Sequence, residues 1–476
     1  MKIPVRNPRT GENDYVIEAA DASEVGQVAA RLRKAQPAWF AAGIEKRAEA
    51  LVAWSDSILK HKEELTDALS VDTGRYALSK SEVEGAARNL KRWASIAPGL
   101  LQSDEKNSEL IQTITYANQY VPYQLAGFIS PWNFPVTLSL IDAAPALIAG
   151  CAALIKPSEV TPRFVKPLLK TITETPEISD VVDVVLGDGA TGAALVNEVD
   201  IICFTGSVPT GRKVAAAAAA RFIPASLELG GKDPVIVLQD ADIERATDAV
   251  LRGSVLNTGH ACLSIERIYV DEKIYDDFVA LLTKKAAAVD LNFPDIHDGV
   301  IGPVIFERQA ETIAAHIEDA VRKGAKVQCG GKVENHGGGK WLRPTVLTNV
   351  NHDMAVMVEE TFGPVLPVMS YATLAEAIEL ANDTSFGLSA AVIGGDVAEA
   401  RKVAECINAG GLSINDCGLT IATYEPEKTS FNFSGLGGSR MGPGSIYRFV
   451  RKKALIMQHG APRPVADFAE PVAVRG

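Results

Sequence analysis

Between residues 124 and 240, short apolar runs alternate with helical segments, and each run ends in a small or turn-forming residue: LAGFIS, AALIKP, VVDVVLG, DIICFTGS and PVIVLQD. Strands followed by helices in this rhythm predict a parallel sheet built with crossover helices, an α/β fold. Ligands of such folds bind beyond the carboxyl ends of the strands, where these small-residue loops lie. A second series of strands and helices follows. It runs through the helices 242–257, 272–288, 306–323, 374–382 and 397–407, and through strands such as RIYV, VLPVMSYA and GGLSIN. This predicts a second α/β domain.

The flanks read differently. Residues 20–100 repeat apolar side chains at three- and four-residue steps and predict an all-helical opening. The stretch 107–124 alternates and is β-branched, which predicts a hairpin leaving the main body, and GSIYRFVRKKALIMQH near the end alternates like a strand that pairs with it. Residues 461–476 are proline-rich and read as an irregular tail.

At 476 residues the chain exceeds one hydrophobic core, so two or three domains are expected. The net charge of −12 argues against a nucleic-acid partner, which demands a basic face. The best candidate for a membrane span, AAPALIAGCAALI at 143–155, is too short, and the N-terminus lacks the apolar region of a signal peptide. A cytoplasmic, non-membrane protein is expected. The six cysteines are scattered singly and the seven histidines are dispersed, so free thiols and no metal site are expected.

Several segments carry candidate chemistry, each with a plainer alternative. In ISPWNFP (129–135) two prolines stiffen a strand-end loop and suit Asn133 as a positioned amide donor; the alternative is a turn capped by its own asparagine. In IKPSE, Lys156 and Glu159 sit at a sheet rim where a ribose is held, and Glu159 would repel a 2′-phosphate, which favours NAD over NADP. The glycine run GDGATGAAL (187–195) is a weak fingerprint, whereas CFTGSVPTG opens a helix whose amides suit a phosphate; an ordinary strand-to-helix turn remains open. LELGGKDPVIV places Glu228 among apolar neighbours, where a carboxyl can be tuned toward a general base or can simply be paired. Cys262 in NTGHACLS follows Gly259, which is expected to close the helix 242–257. It is either a nucleophile at a cleft or, like Cys151, Cys203 and Cys406, a small core side chain. EETFGPV offers Glu360 to a second ribose and Phe362 to a flat ring.

In their order and separation, PWNFP, KPSE, FTGS, LELGGK, NTGHAC and EETFGPV resemble the aldehyde dehydrogenase superfamily over essentially the whole chain. The resemblance implies a Rossmann-like cofactor domain (1–106 and 124–229), an α/β catalytic domain (230–430) and a small β oligomerisation flap (107–123 and 444–460). It implies Cys262 as nucleophile, Glu228 as general base and Asn133 as oxyanion donor. It further implies a cofactor surface of Ser130, Trp132, Lys156, Ser158, Glu159, Gly189, Gly206, Ser207, Leu229, Gly230, Glu360 and Phe362. The cofactor is then NAD, with NADP as the alternative, and the assembly a homodimer or homotetramer. Leu138, Ile141, Ala261, Leu263 and Cys417 are expected to line the substrate entrance, mostly apolar, which suggests an aromatic or medium aliphatic aldehyde. A carboxylate-bearing semialdehyde, with a remote arginine such as Arg440, and transfer of the acyl group to coenzyme A are the rival readings. So are a non-catalytic protein reusing the fold, although Cys262, Glu228 and Asn133 are all retained, and a thiol esterase, which would leave the cofactor residues unexplained. Two departures stand out: His260 lies where the family has glutamine, and FNFSGLGGSRMGPGS (431–445) replaces the usual Pro-Phe-Gly-Gly run.

Overall fold

The computed structural model describes residues 1–470; the last six residues of the expected tail lie outside the described residues. The helical opening spans Ala22–Ala41, Ile44–Lys60, Lys62–Thr73 and Tyr76–Leu100. The first helix starts with a reciprocal cap between Asp21 and Glu24, and the third ends at Gly74 in the left-handed conformation. In the fourth, Val83, Ala86, Ala87, Leu90, Trp93, Ala94 and Ala97 are buried at helical spacing, so one face joins the core. The sequence reading missed an antiparallel hairpin ahead of them, Lys2–Arg6 with Asn13–Glu18, whose strands are mostly exposed and carry little apolar alternation.

A six-stranded sheet runs Gly435–Leu436, Ala225–Glu228, Ile201–Thr205, Leu125–Ile129, Ala152–Lys156, Val182–Val184. All its neighbours are parallel except Gly435–Leu436, which adds antiparallel to Ala225–Glu228. The chain builds outward from Leu125–Ile129 in one direction, then returns to add Ile201–Thr205 on its other side. That reversal opens a crevice beyond the ends of these two strands. Ser130-Pro131-Trp132-Asn133 and Gly206-Ser207 follow them directly.

A second sheet of seven strands runs Lys326–Cys329, Thr345–Thr348, Val365–Tyr371, Ile265–Asp271, Asp233–Val237, Ser389–Ile393, Gly411–Ile414; only its first pair is antiparallel. Separate apolar clusters cover its two faces. The hairpin Val333–His336 with Gly339–Leu342 was not foreseen, because glycine and polar residues dominate it. The chain passes from one sheet to the other between Glu228 and Asp233, so Leu229-Gly230-Gly231-Lys232 is the junction.

Val450–Gln458 pairs with Ile114–Pro122 along its whole length, and Lys106–Asn107 completes a three-stranded sheet. The strand begins later than its alternation suggested, because Pro443–Phe449 forms 3-10 turns. The sheet leaves Tyr116, Leu455 and Ile456 exposed. Among the described residues no helix is long and apolar enough to cross a membrane, and no cluster of His, Cys, Asp or Glu could hold a metal ion.

The C-terminal segment is tied to the first α/β half through Asp142, which precedes the helix Ala143–Ala149. Its buried carboxylate accepts from Arg440 and Arg448, each at 2.7 Å. Burial by itself would raise this carboxyl, but the two guanidinium groups outweigh burial and hold it below the ordinary carboxylate range. Replacing Asp142 by Ala strands two buried cations and should cost about 3–5 kcal/mol, read as a lowered thermal-unfolding midpoint. Because the carboxyl is depressed in the folded state, this contribution is present above pH ~4 and should vanish as pH falls further, so wild type and variant should converge in acid.

Candidate active site

The site forms where the junction between the sheets meets the loop that carries Cys262. The helix Ile243–Val255 gives way to a tight turn, Leu256–Gly259, in which Asn257, Thr258 and Gly259 have φ of 57°, 58° and 72°. Gly259 thus ends this turn, several residues beyond the regular helix. A Cβ on Gly259 would lie 2.2 Å from the Gly363 carbonyl carbon, so only glycine allows this approach. Thr258 Oγ1 accepts from the Gly302 amide at 3.0 Å. Asn257 Nδ2 donates to the carbonyls of Asn133 (2.8 Å) and His260 (3.0 Å). The loop is held in a strained conformation by its neighbours, with Cys262 lining a cavity between the two sheets.

Asn133 and Glu228 line the same cavity. Asn133 Nδ2 donates to the His260 carbonyl at 3.0 Å, while its Oδ1 is buried without a partner. Arg75 also donates to the Asn133 carbonyl at 3.4 Å, so the loop after Ile129 is held from two directions. Glu228 ends the strand Ala225–Glu228, and its carboxylate accepts from Ser430 Oγ at 2.9 Å with Lys428 Nζ at 3.7 Å. Lys428 and Ser430 were not anticipated, although they sit just before the segment noted as atypical. The Cys262 side chain opens onto the cavity, but the walls remove it from bulk water. This enclosure pushes the thiol up to about 12, against the opposing pull of Lys428.

Trp132, His260 and Phe362 form an aromatic group at the rim, with ring centroids 5.3 Å (Trp132–His260), 5.4 Å (Trp132–Phe362) and 6.0 Å (His260–Phe362) apart. Both His260 nitrogens are buried without partners. Burial, and behind it the charge of Arg75, pushes the ring down to about 3, so His260 is a neutral packing ring.

Glu360 lies across the junction: Oε1 accepts from the Gly231 amide at 3.1 Å, and a Cβ on Gly230 would lie 2.5 Å from Oε2. Burial, reinforced by Glu266, pushes its carboxyl up to about 8. The segment that carries it is fixed by Glu266, which accepts from the Thr361 and Phe362 amides, each at 2.8 Å. Nothing in the local sequence marked Glu266 for this, since it reads as one more strand residue.

At the rim of the first sheet, Lys156 Nζ lies 3.2 Å from Glu159 Oε2. Gly189 opens the helix Gly189–Glu198, and a side chain there would meet open space. Ser207 precedes the helix Val208–Ala220, and Leu229, Gly230, Gly206 and Ser207 line the cavity. The Gly206 amide donates to the Glu228 carbonyl at 3.1 Å and is therefore engaged within the protein. Ser158 Oγ accepts from the Val160 amide in a local turn, and Ser130 is buried with its hydroxyl on Ser139. Neither side chain is among the residues lining the cavity.

Beyond Cys262 a second, adjoining cavity is walled by Leu138, Ile141, Ala261 and Leu263, together with Phe134, Leu388, Ile421, Tyr424 and Met441. Cys417 does not line it. The preceding turn directs Cys417 into the core of the second sheet, fully buried against Gly253, and the expectation is corrected. Cys406 is likewise exposed rather than a core side chain, since it lies just past the end of the helix Val397–Ala404. Lys428 and Arg440 reach this cavity too; Arg440 is bound to Asp142 and Thr205, and its Nε is buried without a partner.

Comparison with known proteins places this geometry. The family model "Aldehyde dehydrogenase family" matches residues 1–455. A solved structure described as "Putative Aldehyde Dehydrogenase PutA" from Anabaena variabilis is 53% identical, with a TM-score of 0.96 over 98% of this chain and 99% of that one. Betaine aldehyde dehydrogenase from Staphylococcus aureus, solved in complex with NAD+, is 28% identical, with a TM-score of 0.90 over 98% of this chain and 94% of that one. Among curated relatives, the "Putative succinate-semialdehyde dehydrogenase (NADP+) 2" of Mycobacterium ulcerans is 33% identical over 451 residues, 94% of this chain and 86% of that protein. Family model, curated relative and solved structures agree over nearly the whole chain: it belongs to the aldehyde dehydrogenase family.

Proposed function

We propose that the protein oxidises an aldehyde to the carboxylic acid with NAD+ or NADP+, through a thioester on Cys262. The observation that carries this reading is that Cys262, Asn133 and Glu228, from three separate segments, line one cavity. On the cofactor side Trp132, Leu229, Gly230, Glu360 and Phe362 would hold the nicotinamide half. The fit is supported by the Glu360 carboxyl, which lies where the missing side chain of Gly230 leaves room and would accept from a ribose diol. Lys156 and Glu159 would take the adenosine ribose. When bound, the oxidised nicotinamide supplies a hydride acceptor and a positive charge.

The residues of the chain do the rest. The Cys262 thiol gives its proton to solvent, its sulfur bonds to the aldehyde carbon, and the carbonyl oxygen becomes an alkoxide. The Cys262 backbone N–H and the Asn133 amide stabilise that oxygen, with Asn133 exchanging its bond to the His260 carbonyl for it. With the acyl group held as a thioester, Glu228 accepts a proton from water as the water oxygen adds to the acyl carbon. The carbon–sulfur bond breaks and the acid leaves. A hydrolytic base beside the thioester supports acid release over transfer to coenzyme A.

The apolar walls of the second cavity support an aromatic or medium aliphatic aldehyde. A semialdehyde is the second reading, favoured by Lys428 and the unpartnered Arg440 Nε in the same cavity and by the name of the Mycobacterium ulcerans relative. The exposed Tyr116, Leu455 and Ile456 of the three-stranded sheet support a homodimer or homotetramer built on that sheet.

Cys262→Ala should abolish NADH formation while leaving cofactor affinity within about threefold in a fluorescence titration; retained turnover would defeat the proposal. Glu228→Gln should spare the first turnover and slow acid release, giving a burst of about one NADH per active site. Wild type should prefer NAD+ across an aldehyde panel, and Glu159→Gln should narrow that preference by about fivefold, the effect of removing ~1 kcal/mol of repulsion from a 2′-phosphate.

A further inference from the structure

The carboxylate of Glu228 is gripped by a segment that the main reading of the reaction leaves without a part in catalysis. Lys428 is nearly buried, its side chain 12% exposed, and its ammonium lies 3.7 Å from Glu228 Oε2 and 3.4 Å from Ser430 Oγ. Ser430 Oγ in turn donates to the same carboxylate oxygen at 2.9 Å. These three polar groups form a closed triangle, two of whose members, Glu228 and Lys428, line the cavity that holds Cys262.

The triangle is rigid for reasons visible in the backbone. The Lys428 amide donates to Ser439 Oγ at 2.9 Å, and Ser439 donates onward to the Met441 carbonyl at 2.7 Å, which closes the loop on itself. Past Ser430, the Ser434 carbonyl accepts from the Leu229 amide, and Gly435 pairs with Glu228 in the sheet. A Cβ on Gly435 would lie 2.6 Å from the Leu227 carbonyl oxygen and 2.7 Å from Ser430 Cβ. The strand that carries the base and the segment that carries its two partners are thus zipped together in one register.

The other ionisable groups nearby have partners of their own, although Arg440, whose Nε is unpartnered, also feels the Glu228 carboxylate. Arg440 is held by Asp142, Glu360 by the Gly231 amide, and Asp233 by the Ser389 hydroxyl and amide. Lys428 faces the base.

We propose that Lys428 and Ser430 are positioning residues for the hydrolytic half of the reaction. They hold the Glu228 carboxylate at the cavity wall, from where it takes the proton of the water whose oxygen bonds to the acyl carbon while the Cys262 sulfur leaves as thiolate. A free glutamate side chain would have to be ordered at each turnover, and the Ser430 hydrogen bond with the Lys428 charge beside it removes that freedom beforehand. This inference rests on the assignment of Glu228 as the base.

The test is a double-mutant cycle on the full-length enzyme, read by stopped-flow NADH formation and by steady-state turnover. Lys428→Met should leave the first turnover within about threefold and lower steady-state kcat by about tenfold, so that a burst develops. Lys428→Arg should restore most of the loss, and Ser430→Ala should show a smaller burst of the same kind, which also serves if Lys428→Met does not fold. In a Glu228→Gln background, Lys428→Met should change turnover by less than about twofold.

Equal loss in the first turnover and the steady state, or an undiminished loss in the Glu228→Gln background, would overturn the proposal. So would a KM increase confined to carboxylate-bearing aldehydes, which would make Lys428 a grip on substrate instead. If Glu228→Gln alone leaves acid release unchanged, the assignment of the base fails, and that result is distinct from any of these.

Discussion

A buried ion pair between Lys232 and Glu266, 2.6 Å apart with side chains 0% and 2% exposed, fixes the place where the chain passes from one sheet to the other. Such a pair in a low-dielectric interior is tolerated only when its remaining polar atoms are satisfied. Here they are: Lys232 also reaches Thr361 Oγ1, and Glu266 accepts two backbone amides of the segment that carries Glu360 and Phe362. One ion pair therefore sets the junction 229–232 and the wall of the cavity that carries Glu360 and Phe362 at once.

The rest of the site follows from that junction. Gly231 lacks a side chain that would lie 2.4 Å from the Cys262 carbonyl oxygen, so the loop bearing Cys262 packs directly on the crossing point. Asn257 joins that loop to Asn133, and Asn133 joins back to His260, so the end of the first parallel sheet and the turn before Cys262 share hydrogen bonds. Strain in the positive-φ residues Asn257 and Thr258 is balanced by these contacts and by Thr258 on Gly302. The third side of the site is the C-terminal segment 428–441, tied down by Asp142 and by Gly435 beside Glu228.

Much of this was legible in the sequence, and the reasons are local. Strands in α/β folds end in small residues because the chain must turn there into a helix, which is why ISPWNFP, IKPSE and CFTGS announced their positions. Helices such as Tyr76–Leu100 declare themselves by the spacing of their buried faces. The hairpins at 2–18 and 333–342 carry no such pattern, because exposed and glycine-rich strands need no apolar alternation. Cys417 misled for the opposite reason: a cysteine beside a loop looks accessible until the packing of Gly253 buries it.

The sequence by itself determined the two α/β halves and the order of the motifs, and through the resemblance those motifs carry it brought Cys262, Glu228 and Asn133 forward as candidates for nucleophile, base and amide donor, since motifs depend on residue type and short-range spacing. Tertiary structure alone decided what touches them. Glu228 meets Ser430, 202 residues away, only because a two-residue strand pairs antiparallel at the edge of the first sheet. His260 becomes a neutral ring against Trp132 and Phe362 because long-range packing, with no local pattern to signal it, takes its nitrogens out of water. Burial and partners at such separations are products of the packed chain, and no window of sequence contains them.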